Sequence, residues 1–243
     1  GQIQEALDTL ETLIKDDPHE PLLFNISGAC YVGLGRLDEA VVRYDRAIAI
    51  KPDYVEAHNN LGNVLKELDQ HDTAVKSFEQ ALAIKPDYAE AHNNLGVTLQ
   101  ELGQLDAAVK SYEKAIALKP DYAEAHNNLG VTLQNLGQVD RSIKSLNKAL
   151  AINPNYAQAR NNLGVSFQER GQIDDAVNQY EKAVAIKLDY ASAHHNLSVL
   201  KQYTASDPQI TQMQSLLSTS NLSQSDRIHL CFALARVYEN LEN

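Results

Sequence analysis

Five asparagines recur in this chain at a spacing of 34 residues: Asn60, Asn94, Asn128, Asn162 and Asn196. An amide both donates and accepts hydrogen bonds, so a row of amides could hold a peptide backbone without reading its side chains. Asparagine costs about 0.7 kcal/mol relative to alanine inside a helix, so its repetition calls for a reason. Two reasons are open: the amides bind a ligand, or they bond to one another between neighbouring helices.

Histidines recur with the same spacing at His58, His92 and His126, and imidazole is a common metal ligand. Helices packed roughly 10 Å apart cannot bring these side chains onto one ion, which needs nitrogens about 2 Å away. We therefore expect packing or groove lining, with no metal and no cofactor. The sequence contains no glycine-rich phosphate loop, nucleophile elbow or HExxH motif. This stretch of chain is accordingly not expected to be catalytic.

The elements that carry these residues are pairs of helices. Within one repeat, apolar residues three and four apart predict a first helix around 91–102 and a second around 106–116. Gly103 joins the two helices, and Pro120 ends the second. Asp121 is expected to cap the next first helix, because Asp121 and Glu124 have the spacing of a capping box, as do Asp53 with Glu56 and Asp87 with Glu90. The prolines give the same 34-residue period, at Pro18, Pro52, Pro86, Pro120 and Pro154.

This pattern resembles the tetratricopeptide repeat, with Leu-Gly on the first helix, Ala and an aromatic residue on the second, and then Pro. It is nearly complete over residues 21–190. Residues 1–20 would supply the second helix of a truncated repeat, and residues 191–243 divergent terminal helices, a partial repeat or a junction, with a polar loop over 218–225. The resemblance implies an all-α fold: a right-handed superhelical solenoid of antiparallel helix pairs. Departures from the pattern are Asp69 for glycine, Ser142 for alanine and Leu188 for proline.

In the family, the first helices line a concave groove. The asparagine row there is similar to that of the tetratricopeptide arm of O-linked N-acetylglucosamine transferase, which grips extended peptides. The resemblance implies a peptide site made of Asn60, Asn94, Asn128, Asn162 and Asn196, then Asn63, Val97, Val131 and Val165 one turn on, and Glu67, Glu101, Asn135 and Glu169 beyond. The Lys and Arg clamp of chaperone-binding members is absent from these places.

Charge limits the partners. The 243 residues carry a net charge of −11 and no run of Lys or Arg, which disfavours nucleic acid and anionic membranes. A neutral or basic polypeptide is the expected ligand. No apolar stretch reaches the length of a membrane span. Cys30 and Cys231 lie in different repeats, so no disulfide is expected and a cytoplasmic location fits.

Three functions are compatible with these observations. The first is a scaffold that binds an extended or helical polypeptide segment in its groove. The second is the substrate-recruiting arm of a longer transferase, because residues 225–243 resemble the junction in bacterial proteins that join such repeats to a sulfotransferase domain. The third is self-assembly through uncapped repeat ends. We expect the chain to be a piece of a longer protein that begins within a repeat.

Overall fold

The computed structural model describes residues 1–219 and 222–242, and every regular element in these ranges is a helix. The chain divides into two compact units, residues 1–121 and 122–243. The first unit contains α1 (Gln2–Asp16), α2 (Pro21–Gly33), α3 (Leu37–Ile50), α4 (Val55–Glu67), α5 (His71–Ile84), α6 (Ala89–Glu101) and α7 (Leu105–Leu118). The second contains α8 (Ala123–Asn135), α9 (Val139–Ile152), α10 (Ala157–Glu169), α11 (Ile173–Ile186), α12 (Ala191–Leu200), α13 (Pro208–Leu217) and α14 (Gln224–Glu242). The predicted all-α class is confirmed.

Each first helix packs on the second helix of its pair through a close contact between a glycine and a large side chain. On α6, a Cβ added to Gly96 would lie 2.6 Å from a ring carbon of Tyr112 on α7. Ala108, beside it on α7, is fully buried. The same contact joins Gly28, Gly62, Gly130 and Gly164 to Tyr44, Phe78, Leu146 and Tyr180, respectively. The predicted rows of small and large residues therefore form the interior of each pair.

The second helices end where the sequence predicted. Helix α5 ends at Ile84, two residues before Pro86. Helix α11 ends at the equivalent Ile186 although Leu188 replaces the proline, and the Lys187 amide donates to the Ala183 carbonyl as at the other ends. Proline is thus not required to stop this helix.

The predicted aspartate caps are wrong. Helices α4, α6 and α8 begin after Tyr54, Tyr88 and Tyr122, respectively, without a side-chain capping bond. Each aspartate lies one residue too early, in the turn. The tyrosines are half-buried instead, and the Lys51 Nζ lies 5.3 Å from the centre of the Tyr54 ring. The residue at the N-cap position is therefore the tyrosine and not the aspartate.

Asp69 has the backbone conformation that its glycine counterparts adopt. Its φ is 57°, against 73° for Gly103. Because a left-handed conformation strains a residue that has a Cβ, we expect Asp69→Gly to raise the free energy of unfolding by about 0.5–1 kcal/mol. Urea unfolding followed by circular dichroism would measure the change. The reverse substitution, Gly103→Asp, is the matched control and should lower stability; no gain in Asp69→Gly would contradict the assignment of strain.

Ser142, the second departure, has a partner. Its Oγ lies 2.9 Å from the Oγ of Ser166 on α10, and both side chains are fully buried. The other repeats have alanine in place of Ser142, and α6 and α8 have Thr98 and Thr132 in place of Ser166. Ser166 Oγ also donates to the Asn162 carbonyl at 3.2 Å, so Ser142 is the donor in the pair between α9 and α10, and both buried hydroxyls have partners.

The last helices of the second unit form a separate core. Helix α14 packs against α12 and α13, and the core includes Ile210, Met213, Leu230, Ala233 and Val237. Helix α14 begins at Gln224, inside the expected loop 218–225, of which residues 220 and 221 lie outside the described ranges. None of the described helices has both the length and the hydropathy that a bilayer span requires.

A buried hydrogen-bond chain closes this end of the unit. The Tyr203 hydroxyl donates to Gln209 Oε1 (3.1 Å), Gln209 Nε2 donates to His194 Nδ1 (3.0 Å), and His194 Nε2 donates to the Leu188 carbonyl (2.9 Å). A carbonyl only accepts, so the imidazole is neutral with its proton on Nε2. Protonation of Nδ1 would set two donors against each other.

Burial lowers the pKa of His194 below its ordinary value. Below about pH 6.5 the unfolded chain takes up a proton that the folded chain resists, so stability is lost as the pH falls. We expect the urea midpoint of the native protein to drop between pH 7.5 and pH 5.5, and to drop less in His194→Gln. His19→Gln, at an exposed site, is the control. An equal drop in all three proteins would contradict the prediction.

Candidate peptide-binding face

The predicted site residues share one side of each first helix. On α4, the predicted residues Asn60, Asn63 and Glu67 follow Glu56 at helical positions i+4, i+7 and i+11, so all four residues lie along one face. We call this surface and its equivalents the amide faces. On α6 the residues are Glu90, Asn94, Val97 and Glu101. In the second unit they are Glu124, Asn128, Val131 and Asn135 on α8, Gln158, Asn162, Val165 and Glu169 on α10, and Ser192, Asn196 and Val199 on α12.

Four asparagines of these faces donate a hydrogen bond to an asparagine of the preceding repeat. Asn94 Nδ2 donates to Asn59 Oδ1 at 3.2 Å, and Asn60 Nδ2 donates to Asn25 Oδ1 at 3.1 Å. In the second unit, Asn162 donates to Asn127 and Asn196 to Asn161, both at 3.0 Å. Asn128 accepts a bond from Asn127 at 3.3 Å. A ladder of amides therefore runs between neighbouring first helices within each unit. This is the second of the two explanations offered for the repeated asparagine, bonding between neighbouring helices.

The ladder does not use up the amides. Each asparagine side chain offers two N–H donors and an oxygen with two lone pairs, so one bond to a neighbour leaves capacity for a ligand. The donating asparagines are half-buried, whereas the accepting Asn59 is only 1% exposed. The role of these accepting residues was not predicted from the sequence. The Asn-Asn doublet was the signal, since one member is buried and holds the other in place.

Between α2 and α4, the amide face borders a depression of about 330 Å³. Its lining includes Asn60, Asn63 and Glu67 from α4, with Val32 and Tyr44 from the preceding pair. Three of the predicted site residues are thus brought together at a concave place. A larger depression, of about 640 Å³, lies between α5 and α7 away from this face, and His92 is part of its lining.

Family comparisons identify the repeat. A model of the TPR repeat matches residues 28–69, 62–103 and 99–137, and a second, of the tetratricopeptide repeat, matches residues 121–189. The chain belongs to the tetratricopeptide-repeat family. The recognised resemblance is therefore confirmed at the level of the family, whereas the likeness to a glycosyltransferase arm and to a sulfotransferase junction stays a prediction.

Solved tetratricopeptide-repeat structures superpose on most of the chain. A chain of the APC/C hetero-tetramer Cut9-Hcn1 matches with a TM-score of 0.74 at 18% identity, over 95% of this chain and 46% of that one. YrrB, described as a TPR protein with an unusual peptide-binding site, matches with a TM-score of 0.63 at 23% identity, over 76% and 96%. MamA matches with a TM-score of 0.62 at 26% identity, over 68% and 96%.

Sequence similarity to curated proteins is local. The peroxisomal targeting signal receptor of Kluyveromyces lactis is 33% identical over 57 residues, and that of Candida glabrata is 32% identical over 60 residues. The matched segments cover 24% and 25% of this chain, respectively, and 10% of each receptor. The chain thus spans about a tenth of the length of these relatives.

The outer residues of the amide faces differ in their hydrogen-bond and ion-pair partners. Glu101 Oε2 lies 3.5 Å from His71 Nδ1, and Glu169 Oε1 accepts from Gln134 Nε2 at 2.8 Å. Glu67 and Asn135 are exposed. The four central positions, Asn63, Val97, Val131 and Val165, are half-buried. The faces are therefore apolar or amide-bearing in the middle and polar at the edges.

The histidine row has a structural role outside the amide faces. His58 Nε2 donates to the Pro52 carbonyl at 2.9 Å, and His92 Nε2 to the Pro86 carbonyl at 3.0 Å. Arg160 does the same to Pro154 through Nη2 at 2.7 Å. These side chains fasten the turn that precedes each first helix. Within the described ranges, no group of three or more His, Cys, Asp or Glu residues is placed to hold a metal ion.

Proposed function

We propose that this tetratricopeptide-repeat chain is an interaction module that binds an extended polypeptide segment of a partner protein along its amide faces. One observation carries the proposal: four half-buried asparagines at the same place on their first helices, Asn60, Asn94, Asn162 and Asn196, are each held by a bond to the repeat before it. A fixed amide loses little freedom when it binds, so its bond to a ligand is not offset by ordering of the side chain.

The spacing of the faces suits an extended ligand. First helices packed roughly 10 Å apart would present one amide for about every three residues of a strand that rises about 3.3 Å per residue. A net gain of about 1 kcal/mol per hydrogen bond gives weak binding after ordering costs. Side chains of the ligand must therefore reach the central residues, Asn63 and Val97 in the first unit, which would supply the selectivity.

The relatives support a polypeptide ligand. By their name, the similar yeast proteins are receptors for a peroxisomal targeting signal. YrrB, which shares the fold, has a peptide-binding site. Tetratricopeptide repeats as a class offer extended binding surfaces and no catalytic machinery of their own.

We place the chain in a reducing compartment such as the cytoplasm, because Cys30 and Cys231 are both unpaired.

Binding to a library of extended peptides of about 15 residues, long enough to pass several repeats, tests the proposal. We expect Asn63→Arg/Val97→Arg to weaken binding of selected peptides at least about tenfold, because bulky charged side chains would fill the centre of the faces. Both positions lie outside the amide ladder, so the helical content should not change. Gln80→Arg/Asn147→Arg adds the same charge on exposed second-helix positions and is the control.

Two results would contradict the proposal. The first is that no library peptide binds the native chain. The second is that the face variant and the control bind equally well. A further variant, Asn94→Ala, distinguishes binding of the peptide from bonding between repeats. Lower stability with unchanged peptide affinity would show that this asparagine is purely structural.

The two other functions raised by the sequence stay predictions. Recruitment of substrates for a transferase requires a catalytic domain outside this chain. Self-association is favoured by one observation: Ile228 and Phe232 on α14 are 46% and 62% exposed. Light scattering at rising protein concentration measures it.

A further inference from the structure

The depression between α5 and α7 lies in the interior of the repeat array, within the first unit. It has a volume of about 640 Å³, and the residues that line it belong to two consecutive repeats. Most of them are apolar, and Leu82 and Leu118 form opposite walls. Apolar walls with a few polar groups are typical of sites of this size that bind a ligand. We call this depression the second-helix pocket.

The buried side of the second-helix pocket offers hydrogen-bond acceptors. His92 and Ser111 line it, and each is 7% exposed. His92 Nε2 donates to the Pro86 carbonyl at 3.0 Å, so the neutral imidazole carries a lone pair on Nδ1. Ser111 Oγ donates to the Ala107 carbonyl at 3.1 Å, so a further bond at this oxygen must be accepted. Both side chains can therefore accept a hydrogen bond from a ligand.

The charges around the pocket keep this arrangement at neutral pH. Burial lowers the pKa of His92, and although the bond to the Pro86 carbonyl raises it, the nearby Lys114 ammonium lowers it again. The imidazole is therefore mainly neutral at about pH 7. Lys114 on α7 and Glu79 on α5 are the other charged side chains of the lining, and both are exposed. One charge of each sign at the mouth favours a ligand without net charge.

Three features of the pocket favour the same chemical group. Its acceptors require a donor, its walls require an apolar body, and the Lys114 ammonium is attracted to the face of an aromatic ring. A carboxylate would meet the lone pairs of His92 and Ser111, and an ammonium would lose its hydration among apolar walls. Indole alone among side-chain groups combines a large apolar ring, one N–H donor and no acceptor.

We propose that the second-helix pocket binds a tryptophan side chain of a partner polypeptide, with the indole N–H donating to His92 Nδ1. The ring packs between Leu82 and Leu118, with Lys114 above its face. This surface lies away from the amide faces and uses none of their asparagines. The first unit thus has two separate binding surfaces, one for an extended backbone and one for a single aromatic side chain.

The test uses the whole chain and short glycine peptides, capped at both ends, with one central tryptophan. The chain contains no tryptophan, so indole fluorescence reports the peptide alone. We expect its emission to move to shorter wavelength on binding, because the ring leaves water. A matched peptide with 1-methyltryptophan lacks the N–H donor and should bind at least about fivefold more weakly, the effect of one hydrogen bond. A phenylalanine peptide should compete no better than the methylated one.

Variants locate the contact. His92→Arg removes the acceptor and keeps the turn, because Arg160 makes the same bond to the Pro154 carbonyl in the second unit. It should lower the affinity for the tryptophan peptide at least to that of the methylated peptide, without a change in helical content. Lys114→Gln should weaken binding about threefold. Lys110→Gln, which removes the same charge at an exposed place on α7 outside the lining, is its control.

A pH profile gives a readout that a purely structural histidine would not move. Protonation of Nδ1 turns the acceptor into a donor, so the preference for tryptophan over 1-methyltryptophan should be lost as the pH falls below the ordinary range of imidazole, about pH 6.5. The same preference should already be absent at neutral pH in His92→Arg.

Four results would overturn the inference: no binding of the tryptophan peptide, equal affinity for the methylated peptide, affinity unchanged by His92→Arg, or equal affinity for free tryptophan. The last would make the pocket a site for a small molecule. Asn63→Arg/Val97→Arg should leave the tryptophan peptide unaffected; weaker binding in that variant would place the peptide on the amide faces and overturn the inference as well. The proposed function of the amide faces is tested separately, by the extended library peptides.

Discussion

Replacing Tyr112 by alanine is expected to lower the free energy of unfolding by about 3–5 kcal/mol, the range for loss of a fully buried aromatic side chain. The Tyr112 ring has no exposed surface and lies against Gly96 of the partner helix. Its hydroxyl donates to Gln100 Oε1 at 3.2 Å. Truncation would leave a cavity between α6 and α7 that rigid helices cannot close. Urea unfolding followed by circular dichroism measures the loss.

Two substitutions at the same position serve as controls. Tyr112→Phe keeps the ring and removes only the hydroxyl bond, so it should cost about 1 kcal/mol. Tyr112→Leu reproduces the contact that Leu146 makes with Gly130 in the second unit and should fall between the two. A loss below about 1 kcal/mol for Tyr112→Ala would show that the helix pair relaxes into the cavity, against the close packing described.

The second large effect concerns Gly96→Ala, whose effect on the free energy of unfolding is expected to change sign when Tyr112 is also replaced by alanine. In the native chain, Gly96→Ala is expected to lower the free energy of unfolding by about 1–3 kcal/mol, because the new methyl group would lie within 2.6–2.9 Å of three ring atoms of Tyr112. This happens although alanine favours a helix by about 1 kcal/mol over glycine. In Tyr112→Ala the obstructing ring is gone, so the same substitution should be stabilising. The double-mutant cycle measures the coupling directly.

Additive effects at the two positions would contradict this account of the glycine. Residues in direct contact usually show coupling of about 0.5–3 kcal/mol. Gly62 and Phe78 offer an independent repetition, since a Cβ on Gly62 would lie 2.7 Å from the phenylalanine ring. Agreement between the two pairs would show that the contact belongs to the repeat and not to one position.

Periodicity made the helix pairs predictable. A glycine and an aromatic residue that recur together, such as Gly96 and Tyr112, indicate from the sequence alone that two helices approach closely. The end of α5 before Pro86 follows from the chemistry of proline alone. These features depend only on residues of the same repeat, so the sequence of one repeat is enough to predict them.

Features that depend on the distance between repeats were not predictable. An amide has donors and acceptors in equal measure, so Asn94 could not be assigned to ligand or neighbour until Asn59 was placed beside it. The bond from His92 to the Pro86 carbonyl depends on a rotamer that spacing does not fix. Asp121 has the spacing of a capping box with Glu124, yet α8 begins one residue later, after Tyr122, and no side chain caps it.

The amide ladder also bears on how such chains vary in length. Asn94 meets Asn59 in the same way that Asn60 meets Asn25. Deletion of residues 55–88, one whole repeat, would bring Asn94 opposite Asn25 and leave no amide unmatched. Repeat number, and with it the reach along a bound polypeptide, can thus change by recombination between identical joints. The Ser142 and Ser166 pair is different, because its two halves lie in successive repeats and must be inherited together.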